Sequence, residues 1–253
     1  MPCEYNHPIR LAEQLDVGAE GFRKVLDLLD ETGARATLFC TAVFASNHPE
    51  LIARAAAQHE IASHGWSHST FEPKHLRESR ELLEQLSGQQ CVGYRMARMA
   101  ALDPALVAEA GYIYNSSENP IWLPGRYNNL FKPRRPYHVQ TPSGRLLQIP
   151  ASATPFVRWP LFWLAFKNMP LISTKLATAA CLASDGAAIL YFHPWEFCDL
   201  RRYPLPSSVA RVDGDRLIGK LRAYIQWLQR IGTFTTYSEF THHYQANHAK
   251  APA

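Results

Sequence analysis

A chain of 253 residues with 47% apolar and 19% charged side chains is long enough to bury a substantial core and too apolar to stay disordered. Its formal net charge is +4, and no basic run is longer than Arg134-Arg135, so the aromatic-basic stripe of a nucleic-acid binder is absent. Five scattered cysteines (Cys3, Cys40, Cys91, Cys181 and Cys198) form no CxxC pair and suggest neither a zinc ribbon nor a disulfide framework, and no run of 18 apolar residues predicts a membrane span.

The opening stretch MPCEYNHPIR lacks the charged-then-apolar layout of a leader, which predicts a cytoplasmic protein. Residues 18–33 space Phe22, Val25, Leu26, Leu28 and Leu29 helically and end on Gly33, a natural C-terminal cap. Ala36–Cys40 reads as a short buried strand, followed by a helix over about 48–57. His59–Ser63 is the next strand, 74–87 a charged amphipathic helix, and Cys91–Arg95 a further strand. Cys40 and Cys91, in strand-like apolar runs, read as small buried hydrophobes. Asp103-Pro104 opens another helix with proline in its first turn. Late in the chain, Ala187–Phe192 is the clearest strand, a helix follows over about 214–231, and Thr233–Tyr237 makes the last strand.

This alternation predicts parallel strands with crossover helices in one domain, residues 1–253, forming an α/β barrel that need not be complete. Residues 115–160, rich in Pro, Asn and Arg, break the rhythm and read as a long loop or insertion holding two extended pieces, His138–Thr141 and Leu146–Pro150. Segment 156–172 is unusually aromatic, but its eight residues Trp159–Phe166 are too few to span a bilayer. It reads either as a buried packing helix entered through Pro160 or as a peripheral membrane contact. Arg134-Arg135 is a solvated loop pair or a contact for a diphosphate.

Three stretches can carry chemistry. His59-Glu-Ile-Ala-Ser-His64-Gly-Trp-Ser-His68 places two histidines four apart after a buried strand. A helical turn there puts both on one face, and neutral imidazoles so placed suit Zn²⁺ or a similar divalent ion. A bare HxxxH is otherwise a pair of surface histidines, but active sites of α/β barrels gather at the C-terminal ends of strands, where this one lies. Leu190-Tyr-Phe-His193-Pro-Trp195-Glu196 brings a third histidine to such a strand end, as a general acid shaped by Trp195 and Glu196 or as a hydrogen-bonded structural residue. Gly93-Tyr94-Arg95 ends a strand in an arginine that orients a carboxylate or makes a surface ion pair.

Together these stretches resemble the motifs of the polysaccharide deacetylase (NodB-homology) family. HEIASHGWSH is similar to its metal-binding motif, with His64 and His68 matching the two histidine ligands. GYR resembles the motif whose arginine, here Arg95, braces the catalytic aspartate, and YFHPWE the late motif whose histidine, here His193, is the catalytic acid. RATLF and NHPELIARAA are similar to the family's second strand and following helix, so the likeness runs in order over most of 20–240. The resemblance implies an irregular (β/α) barrel and a divalent ion, zinc foremost, with Tyr94, Trp195 and Glu196 toward an amino-sugar substrate. A bound ion lowers the pKa of its water towards ~7, and a backbone N–H near Met96 is expected to share the oxyanion.

One departure stands out. The family opens on a strand ending in an acidic pair, one metal ligand and one general base, and no such strand precedes residue 18. Either Glu4 of Pro2-Cys3-Glu4 fills the ligand place, with Pro2 where the base belongs, or Glu4 is a terminal residue without a role. Asp16 is a poorer substitute because it does not end a strand. A missing base costs about 10²–10⁴ in rate. The expected function is therefore N-deacetylation of an amino sugar in a polysaccharide or lipid-linked glycan. Two alternatives accompany it: hydrolysis of another non-peptide C–N bond, such as a formamide or cyclic amide, and glycan binding without turnover.

Overall fold

The computed structural model describes residues 9–123 and 127–248; Pro2, Cys3 and Glu4, and the expectations attached to them, lie outside. Helix α1 spans Leu11–Thr32, beginning well before the spacing at 18–33 predicts. Its start is built from strong helix formers, with Glu13 in the first turn where negative charge is favoured. Asp16 is consequently a helix-interior residue, and Gly33 ends α1 with φ 64°. Strand β1 (Thr37–Cys40) follows. The expected helix over 48–57 is α3 (Pro49–Ala56), opened by proline, and an unexpected short helix α2 (Ala42–Asn47), capped by Thr41 Oγ1 accepting from Phe44 N–H, precedes it. Next come β2 (Glu60–Ser63), α4 (Lys74–Ser87), β3 (Gly93–Tyr94), α5 (Pro104–Glu109) and β4 (Tyr114–Asn115). Asp103 caps α5 by accepting from Ala105 N–H. A short ladder of β5 (Trp122–Leu123) and β6 (Tyr127–Asn128) precedes the hairpin of β7 (Tyr137–Thr141) and β8 (Gly144–Gln148). Helices α6 (Trp163–Asn168), α7 (Leu171–Asp185), α8 (Ser207–Ala210), α9 (Gly214–Leu228) and α10 (Tyr237–His248) complete the order.

The main sheet has the order β1-β2-β3-β4-β8-β7. It is parallel from β1 to β8, and only β7–β8 is antiparallel. Both extended pieces expected within 115–160 are thus strands of this sheet. Ser63 pairs with Tyr94, so the ends of β2 and β3, which lead into His64 and Arg95, lie side by side. Gly93 is required by close approach: a Cβ there would fall 1.8 Å from Cζ of Tyr114, which is fully buried.

Two expected strands are not formed. At Ala187–Phe192, Ser152 N–H donates to Ile189 O at 3.2 Å, but Ile189 N–H donates to Ser152 Oγ at 2.8 Å. A side-chain oxygen takes the place of the backbone acceptor that a ladder needs. At Thr233–Tyr237, Thr236 N–H donates to Glu239 Oε2 and Tyr237 N–H to Thr37 Oγ1, bonds that start α10 instead.

The chain forms two compact units. One comprises the described residues up to 34, with 119–134 and 151–233; the other comprises 35–118, 135–150 and 234 onward. The six-stranded sheet lies wholly in the second. In the first, Val17 of α1 packs with Phe162, Trp163, Trp195, Cys198 and Leu200 in a buried cluster. Leu161, Phe162, Trp163 and Phe166 are buried there, so the aromatic segment is a packing helix at α6. Its preceding loop is not: Phe156 is 99% exposed, Val157 and Trp159 are exposed, and Phe156 and Arg158 have positive φ. Arg134 is neither solvated nor open to a diphosphate, because it pairs with the carboxylate of Asp185. Among the described residues no helix is long and apolar enough to cross a membrane. Cys40 and Cys91 are free thiols and buried, as read from sequence, and burial pushes the Cys40 thiol up to about 12.

Glu60 ties four elements of the sheet-bearing unit together. Its Oε1 accepts from Tyr114 Oη at 2.8 Å, and its Oε2 accepts from Thr37 Oγ1 at 2.5 Å and Ser238 N–H at 3.0 Å. Burial raises its pKa above the ordinary value, while the hydrogen bonds draw it partly back. A carboxyl raised in the folded state contributes stability that is fully present below its unfolded pKa and lost as pH rises through its folded pKa. Glu60→Gln removes that dependence. The thermal midpoint of wild type relative to the variant is expected to fall as pH rises from the ordinary glutamate range toward neutrality; a gap that widens instead contradicts this account.

Candidate active site

After β2, the chain turns at Gly65, with φ 78°, rather than helically. His64 N–H donates to Cys40 O at 2.8 Å and Gly65 N–H to Ser63 Oγ at 3.1 Å. The first N–H groups of α2, which have no partner inside the helix, are used to hold the loop: Ala42 donates to Gly65 O and Val43 to Trp66 O, both at 3.0 Å. The loop so pinned places the rings of His64 and His68 with centres 5.4 Å apart. Two imidazoles on one tetrahedral zinc have ring centres roughly 5 Å apart, from the usual Zn–N distance and angle. His64 Nδ1 is 2.7 Å from Arg95 O, a carbonyl that can only accept. That bond puts the Nδ1 proton in place and the neutral ring's lone pair on Nε2, the tautomer control typical of metal-ligating histidines. The pair therefore fits a divalent ion. Among the described residues no group of three His, Cys, Asp or Glu side chains forms a metal cluster, and Glu4 lies outside them.

Arg95 is buried, and no surface reading applies to it. Its Nε donates to Ser116 O at 2.9 Å and its Nη2 to Ser116 Oγ at 2.8 Å and Tyr237 Oη at 2.7 Å. The guanidinium carbon lies 4.2 Å from the centre of the Phe39 ring. Tyr94, also fully buried, donates to Met96 Sδ at 3.2 Å. The oxyanion role expected near Met96 does not fall to the Met96 N–H itself, since it donates to Ser117 Oγ at 2.8 Å. A pocket of about 150 Å³ in this unit is lined by His64, Trp66, His68, Phe71, Tyr94 and Met96. Both candidate ligands thus face one concave space, with Trp66, Phe71 and Tyr94 among its walls.

His193 belongs to the other unit, at the head of a short 3-10 turn, Pro194–Phe197. Glu196 Oε1 accepts from His193 N–H and from His193 Nδ1, each at 2.8 Å. Trp195 stacks on the His193 ring at 5.8 Å, and Trp163 meets it edge-on at 5.4 Å. The imidazole is about one-third exposed, with its Nδ1 side fixed by a carboxylate. This is the arrangement that orients a histidine to exchange a proton at Nε2. Glu196, read both as shaping His193 and as facing the substrate, is fully buried as the partner of His193. Trp195, expected there too, is buried beneath the same ring. Ser116, Tyr237 and Lys167, which surround these side chains, have no local signal in the sequence.

The fold and these side chains define an α/β protein with a histidine-lined pocket at the C-terminal ends of parallel strands. Residues 13–112 match the family model described as polysaccharide deacetylase. Among solved structures, a probable polysaccharide deacetylase from Pseudomonas aeruginosa PAO1 superposes with TM-score 0.64 at 20% identity, covering 94% of this chain and 78% of that one. Puue allantoinase superposes with TM-score 0.66 at 21% identity, covering 95% and 78%. No curated protein matches the sequence. The chain thus carries the polysaccharide deacetylase signature over residues 13–112 and that α/β fold over most of its length.

Proposed function

We propose that this chain, as one catalytic domain in the cytoplasm, is a metal-dependent hydrolase that removes an N-acetyl group from an amino sugar of a polysaccharide or lipid-linked glycan. The observation that carries the reading is the His64–His68 pair, 5.4 Å apart, with His64 fixed in one tautomer by Arg95 O. His64 and His68 would hold the ion, zinc foremost, with Glu4 as the third ligand. When bound, such an ion supplies Lewis-acid activation of water and of the acyl carbonyl. Arg95, held by Ser116 and Tyr237, stands where the family's arginine braces the carboxylate base, the group whose place Pro2 takes in this sequence. Trp66 and Phe71 give the pocket aromatic walls suited to the apolar face of a pyranose, with Tyr94 beneath them. His193, its Nδ1 committed to Glu196, gives its Nε2 proton to the departing amine as the C–N bond breaks. Acetate and a free amino sugar leave.

The exposed loop at Phe156–Trp159 is the part suited to meet a lipid surface if the glycan is lipid-linked, and liposome flotation reads that contact directly. The function itself is tested with zinc-loaded protein and N-acetylglucosamine oligomers. Acetate release that disappears in His193→Gln supports the proposal. A formamide and a cyclic amide run in parallel cover the same chemistry on other C–N bonds. Glycan binding with no turnover of any of the three overturns it in favour of a binding protein.

A further inference from the structure

The exposed apolar side chains of this molecule are not scattered. Among the described residues, seven of the ten large ones fall between 122 and 176, all in one compact unit. Besides the loop at Phe156–Trp159, Phe131 is 93% exposed and Trp122 is 62% exposed. Arg158 ties these segments to that loop: its Nη1 donates to Lys132 O at 2.9 Å and to Pro120 O at 3.3 Å. Arg134 adds a second tie, from Nη1 to Ala153 O at 2.9 Å.

The loop itself is closed by hydrogen bonds. Thr154 N–H donates to Trp159 O at 2.9 Å, Arg158 N–H to Thr154 O at 3.1 Å, and Trp159 N–H to Thr154 Oγ1 at 2.9 Å. Phe156 and Arg158 sit at φ of 61° and 57°, a region that residues with a Cβ disfavour. A turn built at that cost to hold a phenylalanine ring wholly in water gains nothing for the core, so folding does not account for the ring.

Charge selects the partner. Residues 119–134 and 151–184, which carry this surface, contain six Lys or Arg and no Asp or Glu, although the chain has 22 acidic residues. Asp185 cancels Arg134, and Lys167 is buried. Arg158, by contrast, is held by two carbonyls, which leave its charge in place. Lys132 follows Phe131, and Lys175 lies on α7, where Ile172 and Leu176 are exposed one turn apart. A second copy of this chain is a poor occupant, since a two-fold contact would set these cations against themselves. A soluble polyanion would meet the charge and leave the apolar side chains wet. An anionic bilayer satisfies both, taking aromatic rings into its interface and Lys and Arg against its phosphates.

We propose that the three segments bearing Trp122, Phe131 and Phe156–Trp159 form one docking surface for an anionic phospholipid bilayer, which the protein meets peripherally. This goes beyond a single loop touching a lipid-linked glycan: it requires anionic lipid, and it does not rest on the hydrolase reading.

The test is flotation of the full chain with vesicles of phosphatidylcholine alone and of phosphatidylcholine with phosphatidylglycerol. Binding to the anionic vesicles is expected to be at least about tenfold tighter than to the neutral ones, and to weaken as salt is raised. Phe156→Asn, a residue that tolerates positive φ, and Phe131→Ser should each weaken it by about tenfold. Both rings lie in water, so neither change should lower the thermal midpoint. Should Phe156→Asn unfold nonetheless, Phe131→Ser, outside the strained loop, carries the expectation alone. Equal flotation with both vesicle types, flotation with neither, or unchanged binding by the folded variants overturns the proposal. A wild type that ignores vesicles but forms a concentration-dependent dimer, lost in the variants, overturns it in favour of a self-contact. Flotation without hydrolysis leaves this surface standing and sinks the proposed function alone; hydrolysis of soluble oligomers without flotation does the reverse.

Discussion

Gly21→Ala is expected to destabilise the unit containing α1 by roughly 3 kcal/mol, the upper end for an inserted methyl group. Helix propensity pulls the other way, since alanine in a helix interior is favoured over glycine by about 0.5–1 kcal/mol. Sterics decide the sign. A Cβ on Gly21 would lie 1.8 Å from Pro194 O and 2.5 Å from Pro194 C, with Cys198 Sγ at 3.2 Å. The first two are backbone atoms of a proline, which cannot rotate aside, so the helix or the turn must move. The turn is the one that His193 heads, with Glu196 Oε1 accepting from both its N–H groups. Turnover should therefore fall along with stability, even though Gly21 touches no candidate substrate group. Gly219, inside α9, is the control: a Cβ there meets nothing within 4 Å, and Gly219→Ala should stabilise slightly. Urea unfolding of both variants checks the pair. Equal behaviour at the two positions would show that the α1 approach is not tight.

Gly21 also marks where reading the sequence stops. Its neighbours in the chain look like ordinary helix, and nothing local says that a proline carbonyl from far along the chain will press on it. Lys167 is similar: it borders an aromatic run in the sequence, and only packing buries it beside Trp195. Helix α4 was legible to the residue because its pattern is local, with Leu76 and Leu83 on the buried face and Gly88 as cap. The three histidine and arginine motifs were legible because their chemistry is carried by residue type and spacing. The two late segments expected as strands are the exception. Ala187–Phe192 has every compositional mark of a strand, yet whether a ladder forms depends on the acceptor opposite, and here Ser152 Oγ is that acceptor. One further signal was present but unread. His-Pro-Trp-Glu has proline at the first turn position and glutamate at the third, the capping-box pattern that turns the glutamate back onto the residue heading the turn. That pattern favours the reading of Glu196 as the group that shapes His193 over its reading toward the substrate.

The other large effect concerns the imidazole pair. His64→Gln and His68→Gln should each abolish stoichiometric zinc binding and lower turnover by about 10²–10⁴-fold, the several kcal/mol that a bound ion contributes to a transition state. The double variant should then be no worse than either single one, because residues that act through one shared ion are not additive. That equality carries the argument. If the two rings were separate surface groups, each loss would be small and the losses would sum. His64 should also be the more sensitive position to a conservative change. Its Nδ1 proton is already committed to Arg95 O at 2.7 Å, so a glutamine there loses the orienting bond as well as the ligand. Metal content by elemental analysis, followed by acetate release for the two single variants and the double, decides the matter. Full zinc occupancy in either single variant, or a double variant far slower than both, would remove the shared ion and with it the reading of this pocket as a hydrolytic centre.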